Sequence, residues 1–424
     1  MKHRFPRRSL LGAVLALGLC ACGSSGGSSG SSGDSAGSGP ITWASFKEPT
    51  GTLRKVVDGW NAAHPDAKVT LVDLPEAADA QRQQLVQNAQ IKSTAFDVVT
   101  LDAVWTAEFA ANQWVEPITG LDASGFLTPS LRTGQYRGKL YAAPWLTGAG
   151  LLYYRTDLLK KAGIAGPPKT WQELTDDCAK VRKSVDIGCY AGQYDKYEGL
   201  TVNVTEAIDS AGGHVLDASG RPALNTPEAL AGLRFLTDGL KNGLIPKAAL
   251  TYQEENGRRA FEAGELLFHR NWGYVYALAG KTDGSSKVAG RFDVAPLPGR
   301  IGPGISTLGG NNVAISAFSK HKKTALDFIR YVTGAEAEKT FGLGSAYPMS
   351  RLALYSDPAM VKAQPYLPTL ATSIQNAVPR PEAVRYGDVT TAIQEAAYAA
   401  LRGQQSPEQA LSGLQAQLGP LTAH

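Results

Sequence analysis

A chain of 424 residues, with 43% hydrophobic and 19% charged residues, has the length and apolar content of a globular protein with about two domains. The formal net charge is +4, but several basic residues stand in the first ten positions, and no cluster of Lys and Arg recurs along the body. The composition therefore argues against nucleic acid as a partner.

Residues 1–40 are typical of an exported protein that is attached to a membrane by lipid. A basic start leads into an apolar run at 10–19, which is about half the length of a membrane-spanning helix. We therefore interpret residues 1–21 as a signal peptide. Cys22 follows the small residue Ala21, as in a bacterial lipobox, which predicts that Cys22 is lipidated. An ordinary secretory signal with incidental cysteines is the alternative.

The segment after the lipobox predicts a flexible tether. Residues 23–40 are Gly and Ser with one Asp, one Ala and a final Pro, a composition with nothing to bury. We expect residues 22–40 to hold the body at the extracellular face of the cell membrane. The export route stays open, because Arg7 and Arg8 fit a twin-arginine signal and such a pair is also common in ordinary signal peptides.

The body begins with alternating strands and helices. Hydrophobic periodicity predicts strands at 41–46, 68–74 and 96–101, and helices at 53–63 and 77–91. Helices that cross over between strands imply a parallel sheet with both faces covered. This β-α-β-α-β order therefore predicts an α/β fold.

The rest of the body adds strands and then becomes helical. Further strands are predicted at 139–143, 151–154, 266–269 and 313–316. Two helix starts carry caps, namely a capping box from Thr170 to Glu173 and a Thr226 that precedes Pro227. The C-terminal third is predicted to be helical, with helices at 325–332, 389–401 and 407–418.

Two cysteines remain after processing, Cys178 and Cys189. Because an exported protein meets conditions that permit disulfides, we expect these two to form one. A metal site or a catalytic thiol pair is the alternative. It would need His or acidic partners nearby, and the segment at 179–183 supplies none.

Ligands of open α/β sheets bind beyond the carboxyl ends of the strands, so the residues that follow each strand are the first candidates for a site. Acidic and aromatic side chains recur at these positions. They are Glu48 after the first strand, Asp102 and Trp105 after the third, Trp145 after a later strand, and Trp272 and Tyr274 after the strand at 266–269.

Several stretches of the body carry a family likeness: 97–105, 143–145 with 151–158, 270–274, 308–311 and 354–358. Together they resemble the family 1 extracellular solute-binding proteins of ABC importers, most closely the trehalose/maltose-binding lipoprotein branch. The likeness extends over nearly the whole body.

The resemblance implies a periplasmic-binding-protein-like fold, with two α/β lobes, a hinge that the chain crosses more than once, and a ligand cleft. It assigns residues 41–146 and 307–351 to lobe 1, and residues 147–306 and 352–424 to lobe 2. It also implies a sugar ligand in the cleft and an ABC permease in the membrane as partners, with no cofactor. We expect a monomer.

The resemblance also implies site residues. In the trehalose/maltose-binding branch, the positions that match Asp102, Trp272, Tyr274, Gly310 and Arg380 contact the disaccharide, and the first-strand loop that holds Glu48 supplies a further acidic contact. Two positions depart from the family pattern. Relatives usually have Asp or Asn where this chain has Gly148, and many have Trp where it has Asn311.

These residue types suit a sugar. A pyranose has two weakly apolar faces, on which Trp and Tyr can stack, and a ring of hydroxyls that Asp, Glu, Asn, Arg and backbone N–H groups can bind. Hydrogen bonds to charged groups are stronger than neutral ones. A polar group left unpaired in a closed cleft costs about 1–3 kcal/mol, which penalises the wrong sugar.

Each candidate also has a structural alternative. We interpret three Trp residues as structural, namely Trp60, Trp114 and Trp171. For the candidates themselves, the alternatives are that Asp102 caps the helix predicted at 105–111, that Arg380 pairs with a surface carboxylate, and that Gly309 and Gly310 form a bulge.

The sequence therefore predicts a membrane-anchored binding lipoprotein that captures an α-linked disaccharide, such as trehalose or maltose, by lobe closure and delivers it to a permease. A receptor for another solute and an adhesive lipoprotein are alternatives. A surface glycoside hydrolase would need two carboxylates across the bond, for which Glu48 and Asp102 are candidates. A neighbouring Arg380 suits hydroxyl binding better than proton donation, and we predict no enzyme.

Overall fold

Two principal β-sheets organise the chain in the computed structural model, which describes residues 37–422. The predicted signal peptide at 1–21 and the predicted lipidation site Cys22 lie outside the described residues, as does most of the predicted tether. Across residues 37–422, no helix is both long enough and apolar enough to cross a membrane.

The strands of this part of the chain are β1 (Ile41–Phe46), β2 (Val69–Leu74), β3 (Val98–Asp102), β4 (Gln135–Tyr136), β5 (Lys139–Leu140), β6 (Ala142–Gly148), β7 (Leu151–Arg155), β8 (Gly188–Ala191), β9 (Leu266–Asn271), β10 (Phe292–Ala295), β11 (Thr307–Ile315) and β12 (Val378–Pro379).

The α-helices are α1 (Thr52–Ala63), α2 (Ala78–Gln90), α3 (Thr106–Ala111), α4 (Thr128–Thr133), α5 (Thr156–Lys161), α6 (Trp171–Arg182), α7 (Glu198–Ser210), α8 (Pro227–Asn242), α9 (Glu254–Glu262), α10 (Val275–Ala279), α11 (Lys322–Val332), α12 (Ala335–Ser345), α13 (Pro358–Ala363), α14 (Leu367–Gln375), α15 (Tyr386–Leu401) and α16 (Pro407–Thr422). Short 3-10 helices occupy Lys247–Thr251 and Leu352–Tyr355.

The first sheet has the strand order β12-β11-β3-β1-β2, and β6 also pairs with β11. Strand β1 runs parallel to β2 and β3, whereas β11 runs antiparallel to β3 and β6. The predicted β-α-β-α-β order is confirmed, and its three strands are parallel as expected.

The second sheet has the strand order β10-β7-β9-β8. Strand β7 is antiparallel to both neighbours, and β8 is parallel to β9. The chain passes from the first sheet to the second at residues 149–150, between β6 and β7, and has returned to the first sheet at Thr307, where β11 begins. Strands from distant parts of the chain thus share one sheet.

Apolar stripes explain how the helices cover the sheets. Helix α1 buries Leu53, Val56, Val57 and Trp60, which recur at helical spacing on one face. Fully buried Trp43 on β1 makes an edge contact with Phe328 of α11, with ring centroids 5.2 Å apart. Helices α1 and α11, which are far apart in the sequence, therefore pack in the same region of the core.

The predicted helix starts are confirmed. Thr170 caps α6 by accepting from the N–H of Glu173 at 3.1 Å, and the Glu173 carboxylate accepts in return from the N–H of Thr170 at 3.1 Å. The hydroxyl of Thr226 accepts from the N–H of Ala229 at the start of α8. Both caps satisfy backbone donors that a helix start leaves free.

Two predicted strands have different bounds in the structure. The strand predicted at 139–143 is divided, because Lys139–Leu140 pairs with β4 in a small hairpin and a longer strand begins at Ala142. The strand predicted at 313–316 begins earlier, at Thr307. Its first residues are Gly- and Asn-rich, and pairing with β6 keeps them extended despite their low strand propensity.

Cys178 of α6 and Cys189 of β8 form a disulfide, with Cα atoms 5.8 Å apart. The bond ties a surface helix to the edge strand of the second sheet. Closing a loop of this length stabilises a fold by about 3 kcal/mol. Within residues 37–422, no group of His, Cys, Asp or Glu side chains is placed to hold a metal ion.

Candidate binding site at the junction of the two sheets

The carboxyl end of β3 meets the first half of β11. Asp102 lies directly opposite Asn311 in the antiparallel register, and Asn311 lies opposite Leu146 of β6 on its other side. The next pair along β6 and β11 is Thr147 with Gly310. Asp102, from one motif, is therefore a neighbour of Gly310 and Asn311, from another.

Gly310 has a specific steric role at this point. Its φ is +133°, and a Cβ placed there would lie 2.3 Å from the carbonyl oxygen of Leu146. Its own carbonyl accepts from the N–H of Ala103 at 3.0 Å. The missing side chain thus lets β6 approach β11, and the irregularity of the pairing lies one step further, between Asn311 and Asn312.

Asp102 forms an ion pair with Arg380, whose second terminal nitrogen donates to Glu198 Oε1 at 2.6 Å. Arg380 is only 3% exposed, while the side chain of Asp102 is 18% exposed. Two structural alternatives are therefore wrong. Helix α3 starts after Trp105 without a side-chain cap, and the partners of Arg380 are a buried Glu198 and a partly buried Asp102 rather than an exposed surface carboxylate.

Glu198 continues this network into the helices. Its carboxylate accepts from the hydroxyls of Tyr386 and Thr390, the latter at 2.7 Å, and its N–H donates to Asp79 at 3.1 Å. Burial raises the pKa of Glu198, and the charge of Arg380 opposes that rise. The network therefore connects α2 with α7 and α15 through buried Glu198.

Trp272 brings the second sheet to the same place. Its ring is partly exposed, and a Cβ on Gly309 would lie 2.7 Å from indole Cζ3, so the indole packs against β11 beside Gly310. The guanidinium carbon of Arg270 lies 4.1 Å from the centroid of the ring. An aromatic ring is thus fixed on β11, two residues from the Asn311 that pairs with Asp102.

A second aromatic pair stands near the first strand loop. Tyr274 stacks on Tyr347, with centroids 5.3 Å apart and ring planes 8° apart, and donates its hydroxyl to Glu255 at 2.7 Å. The ring of Tyr347 also lies 5.5 Å from that of Phe46. Burial raises the pKa of Tyr347, and the carboxylate of Glu48 acts in the same direction.

Glu48 is partly exposed, and its carboxylate already serves the backbone. Its two oxygens accept from the N–H groups of Thr50, at 2.5 Å, and Leu53, at 3.2 Å. These bonds hold the loop after β1 and the start of α1 in place. The loop therefore presents Glu48 in a fixed position near Tyr347.

Trp105 and Trp145 are core residues in the structure. Trp145 is fully buried, with Trp43 at 5.0 Å and Phe341 at 5.2 Å between ring centroids. Trp105 is 2% exposed and lies in a cluster of buried apolar side chains that includes Val99 and Phe109. Among residues 37–422, neither indole N–H finds a hydrogen-bond partner. Both rings lie beneath the site rather than on its open surface.

Sequence reasoning missed three members of this arrangement, Glu198, Arg270 and Tyr347. Arg270 and Glu198 offer a weak signal, since each is a charged residue in an otherwise apolar or fully buried element, and such charges require partners. Tyr347 stands in a loop after α12, and no local pattern marks it.

Comparisons with known proteins agree on one family. The family model described as bacterial extracellular solute-binding protein matches residues 43–339. A probable ABC transporter-binding protein of Deinococcus radiodurans is 38% identical over 380 residues, which cover 86% of this chain and 89% of the relative. A mannitol-binding protein of Pseudomonas aeruginosa is 28% identical over 394 residues, covering 86% of this chain and 88% of that protein. Among solved structures, maltose-bound MalE3 of T. maritima has a TM-score of 0.85 and 33% identity, covering 89% of this chain and 98% of the other.

Proposed function

Because the chain belongs to the family of bacterial extracellular solute-binding proteins, we propose that it binds a sugar at the junction of its two sheets and delivers it to an ABC importer. The observation that carries this proposal is that Trp272 from the second sheet packs on Gly309 of β11, two residues from Asn311, which pairs with Asp102 of the first sheet. A stacking face beside an acceptor for hydroxyl groups is what a pyranose needs.

The proposed ligand is an α-linked disaccharide such as maltose or trehalose. The likeness to maltose-bound MalE3 over most of both chains supports this class. Gly148 and Asn311 set the site apart from the family pattern, and both lie on the paired strands β6 and β11. A polyol is the second candidate, favoured by the 28% identity to a mannitol-binding protein.

We propose the lobes as residues 41–146 with 307–351 and residues 147–306 with 352–424. Strands β1, β2, β3 and β11 of the first sheet and β7 to β10 of the second support these bounds. The short β12 pairs with β11, so the segment that carries Arg380 reaches back to the first sheet. Sugar binding between the lobes would shift the protein toward a closed form by the preference of the ligand for that form.

We propose that the protein is a receptor and not a hydrolase. Asp102 is bound to Arg380, and both oxygens of Glu48 accept backbone N–H groups, so both carboxylates act as acceptors in the structure. A glycosidase acid must instead hold a proton and donate it to the leaving oxygen. Incubation with maltose or trehalose should leave the sugar unhydrolysed, and steady glucose release would contradict the receptor assignment.

The remaining parts of the proposal concern location and partners. We propose that the mature protein is a monomer, anchored by lipid on Cys22 at the extracellular face of the membrane, where it meets its permease. Replacing Cys22 by Ala should move the protein from the membrane fraction to the soluble fraction, and the variant's retention in the membrane would contradict the anchor.

The ligand class can be decided by a thermal-shift panel on the purified protein. The panel contains trehalose, maltose, sucrose, longer glucans, galactosides, monosaccharides, mannitol and ribitol. A ligand at 100 times its dissociation constant adds about 2.7 kcal/mol to stability, enough to raise the melting temperature by several degrees. A shift with an α-linked disaccharide supports the first candidate, and one with polyols alone supports the second. No shift with any compound contradicts both.

A further inference from the structure

Arg270 is held rigidly inside the second sheet. It is fully buried, and all three guanidinium nitrogens donate: Nε and Nη2 to Glu206, the former at 2.6 Å, and Nη1 to Gln193 at 2.9 Å. Bonds from a planar fork to a carboxylate fix the plane of the group as well as its position. The guanidinium plane therefore cannot turn without breaking several bonds.

The guanidinium of Arg270 lies over the ring of Trp272. Arg270 is in β9, and Trp272 is the first residue after that strand. The guanidinium carbon lies 4.1 Å from the centroid of the ring, and the six-membered ring of the indole packs on Gly309. Since Arg270 has no exposed surface, it supports the ring from behind and does not reach a ligand.

Glu206, the partner of Arg270, binds the segments through which the chain passes between the two sheets. Glu206 Oε1 also accepts from the hydroxyl of Ser306 at 2.9 Å and from the N–H of Thr307 at 3.1 Å. The same hydroxyl accepts from the N–H of Gly150 at 2.6 Å. A Cβ on Gly150 would lie 2.8 Å from both Arg270 and Glu206, so the ion pair packs directly on the crossing backbone.

The turn that carries Trp272 is fixed by a second chain of hydrogen bonds. Burial lowers the pKa of His269 to about 3, so this ring is neutral. Its Nδ1 lies 3.1 Å from the carbonyl of Ala191, which assigns the proton to that nitrogen and leaves Nε2 to accept from Asn271 at 2.9 Å. The side-chain oxygen Oδ1 of Asn271 then accepts from the N–H of Trp272 at 2.8 Å.

We propose that Arg270 is a positioning residue for sugar binding, which holds the Trp272 ring in its stacking orientation and, through Glu206, connects that ring to both passages between the sheets. The inference rests on the proposed function for its ligand. The contact between Arg270 and Trp272 exists without a ligand, so it can be tested separately.

The first test is a double-mutant cycle on the purified protein, with maltose as the probe in isothermal titration calorimetry. Arg270→Met with Glu206→Gln removes both charges together, because either charge left alone in the interior would endanger folding. We expect this pair to weaken maltose binding about 3- to 30-fold, the range of a desolvated cation–π contact. In a Trp272→Ala background the same pair should change binding less than about 2-fold.

Equal losses in the two backgrounds would show that Arg270 does not act through Trp272 and would overturn the proposal. Arg270→Lys is the matched variant if the pair fails to fold. It keeps the charge opposite Glu206 but lacks the planar face. We expect Arg270→Lys to weaken maltose binding as much as the double substitution does. Full retention of wild-type affinity would overturn the positioning role.

The second test needs no sugar. Protein labelled with 5-fluorotryptophan is examined by ¹⁹F NMR, and the Trp272 resonance is assigned by its loss in Trp272→Phe. Both Arg270 variants should shift or broaden this resonance and leave that of Trp171 unchanged. If wild type binds no maltose but the resonance moves, maltose is excluded as the ligand and the contact stands. If wild type binds maltose and the variants alter neither signal nor affinity, the positioning role fails and the receptor assignment stands.

Discussion

Two of the buried arginines, Arg270 and Arg380, stand at the candidate site, and the regions around them differ in how fully the charge is satisfied. Arg270 has no exposed surface, one carboxylate partner and three bonded nitrogens. Arg380 has two carboxylate partners, one of which, Asp102, keeps 18% of its side chain exposed. Among residues 37–422, Arg380 Nε finds no partner. The charge of Arg270 is thus fully paired within the protein, whereas the region around Arg380 keeps polar groups that can bind a ligand.

The charge balance points in the same direction. Burial acts to lower the pKa of Arg380, but the carboxylates of Asp102 and Glu198 outweigh burial and raise this pKa, so Arg380 is charged. Both hydrogen bonds to the side chain of Asp102 end at Oδ1, so Oδ2 has no hydrogen-bond partner within the described part of the chain. An open carboxylate oxygen is an acceptor suited to a sugar hydroxyl.

The largest expected effect is on stability, and it distinguishes the intact ion pair of Arg270 and Glu206 from one charge left alone. Arg270→Met alone leaves Glu206 charged and buried, and should lower the free energy of unfolding by about 3–5 kcal/mol in urea denaturation. Adding Glu206→Gln should restore most of that loss. A single variant that loses less than about 1 kcal/mol would contradict the view that this pair is desolvated and fully satisfied.

The second effect concerns affinity rather than stability. Asp102→Asn removes the open charged acceptor while keeping an oxygen for the N–H of Val104, and should weaken sugar binding about tenfold by calorimetry. The control is Asp157→Asn, which alters an ion pair with Arg155 away from the site and should leave affinity unchanged. Equal effects of the two variants would contradict a ligand contact at Asp102.

The smallest effect concerns a buried carboxylate that forms no ion pair within the described part of the chain. Glu338 is fully buried and accepts from the hydroxyl of Ser350 at 2.6 Å and the N–H of Arg351 at 3.0 Å. Burial raises the pKa of Glu338 from its ordinary 4.5 to about 8, so the folded protein holds a proton that the unfolded chain releases. Its contribution to stability is full below pH 4.5 and is lost as the pH rises through about 8.

Glu338→Gln should therefore lose less stability than wild type between pH 5 and pH 8, because the amide does not titrate. Urea denaturation of both proteins across that range measures the difference. Parallel pH profiles would show that Glu338 ionises in the folded protein as readily as in the unfolded chain.

Local patterns predicted much of the fold. The strand at Ile41–Phe46 has the bounds that its periodicity predicted, and the caps at Thr170 and Thr226 begin helices as expected. The resemblance to solute-binding proteins and the α/β fold class are confirmed by the family model and by the likeness to MalE3. These features are predictable because each depends on neighbours within a few turns or strand lengths.

The candidate site was only partly predictable. Its members came from motifs at strand ends, but their partners come from distant positions, as when Arg380 meets Glu198 across the chain. Trp145 shows the limit of a strand-end rule, because β6 continues to Gly148, so this residue lies within the strand and its ring packs against Phe341 in the core. Periodicity reports which face of an element is apolar, and pairing between remote elements decides which polar groups meet.

The most direct test of the account is calorimetric titration of wild type, Trp272→Ala and Trp171→Ala with the sugar selected by the panel. Trp171 stacks on Phe235 away from the site and serves as the matched control. The account predicts that wild type and Trp171→Ala bind with similar affinity, and that Trp272→Ala binds at least about 30-fold more weakly while keeping a cooperative melting transition. Unchanged affinity in Trp272→Ala would contradict the account.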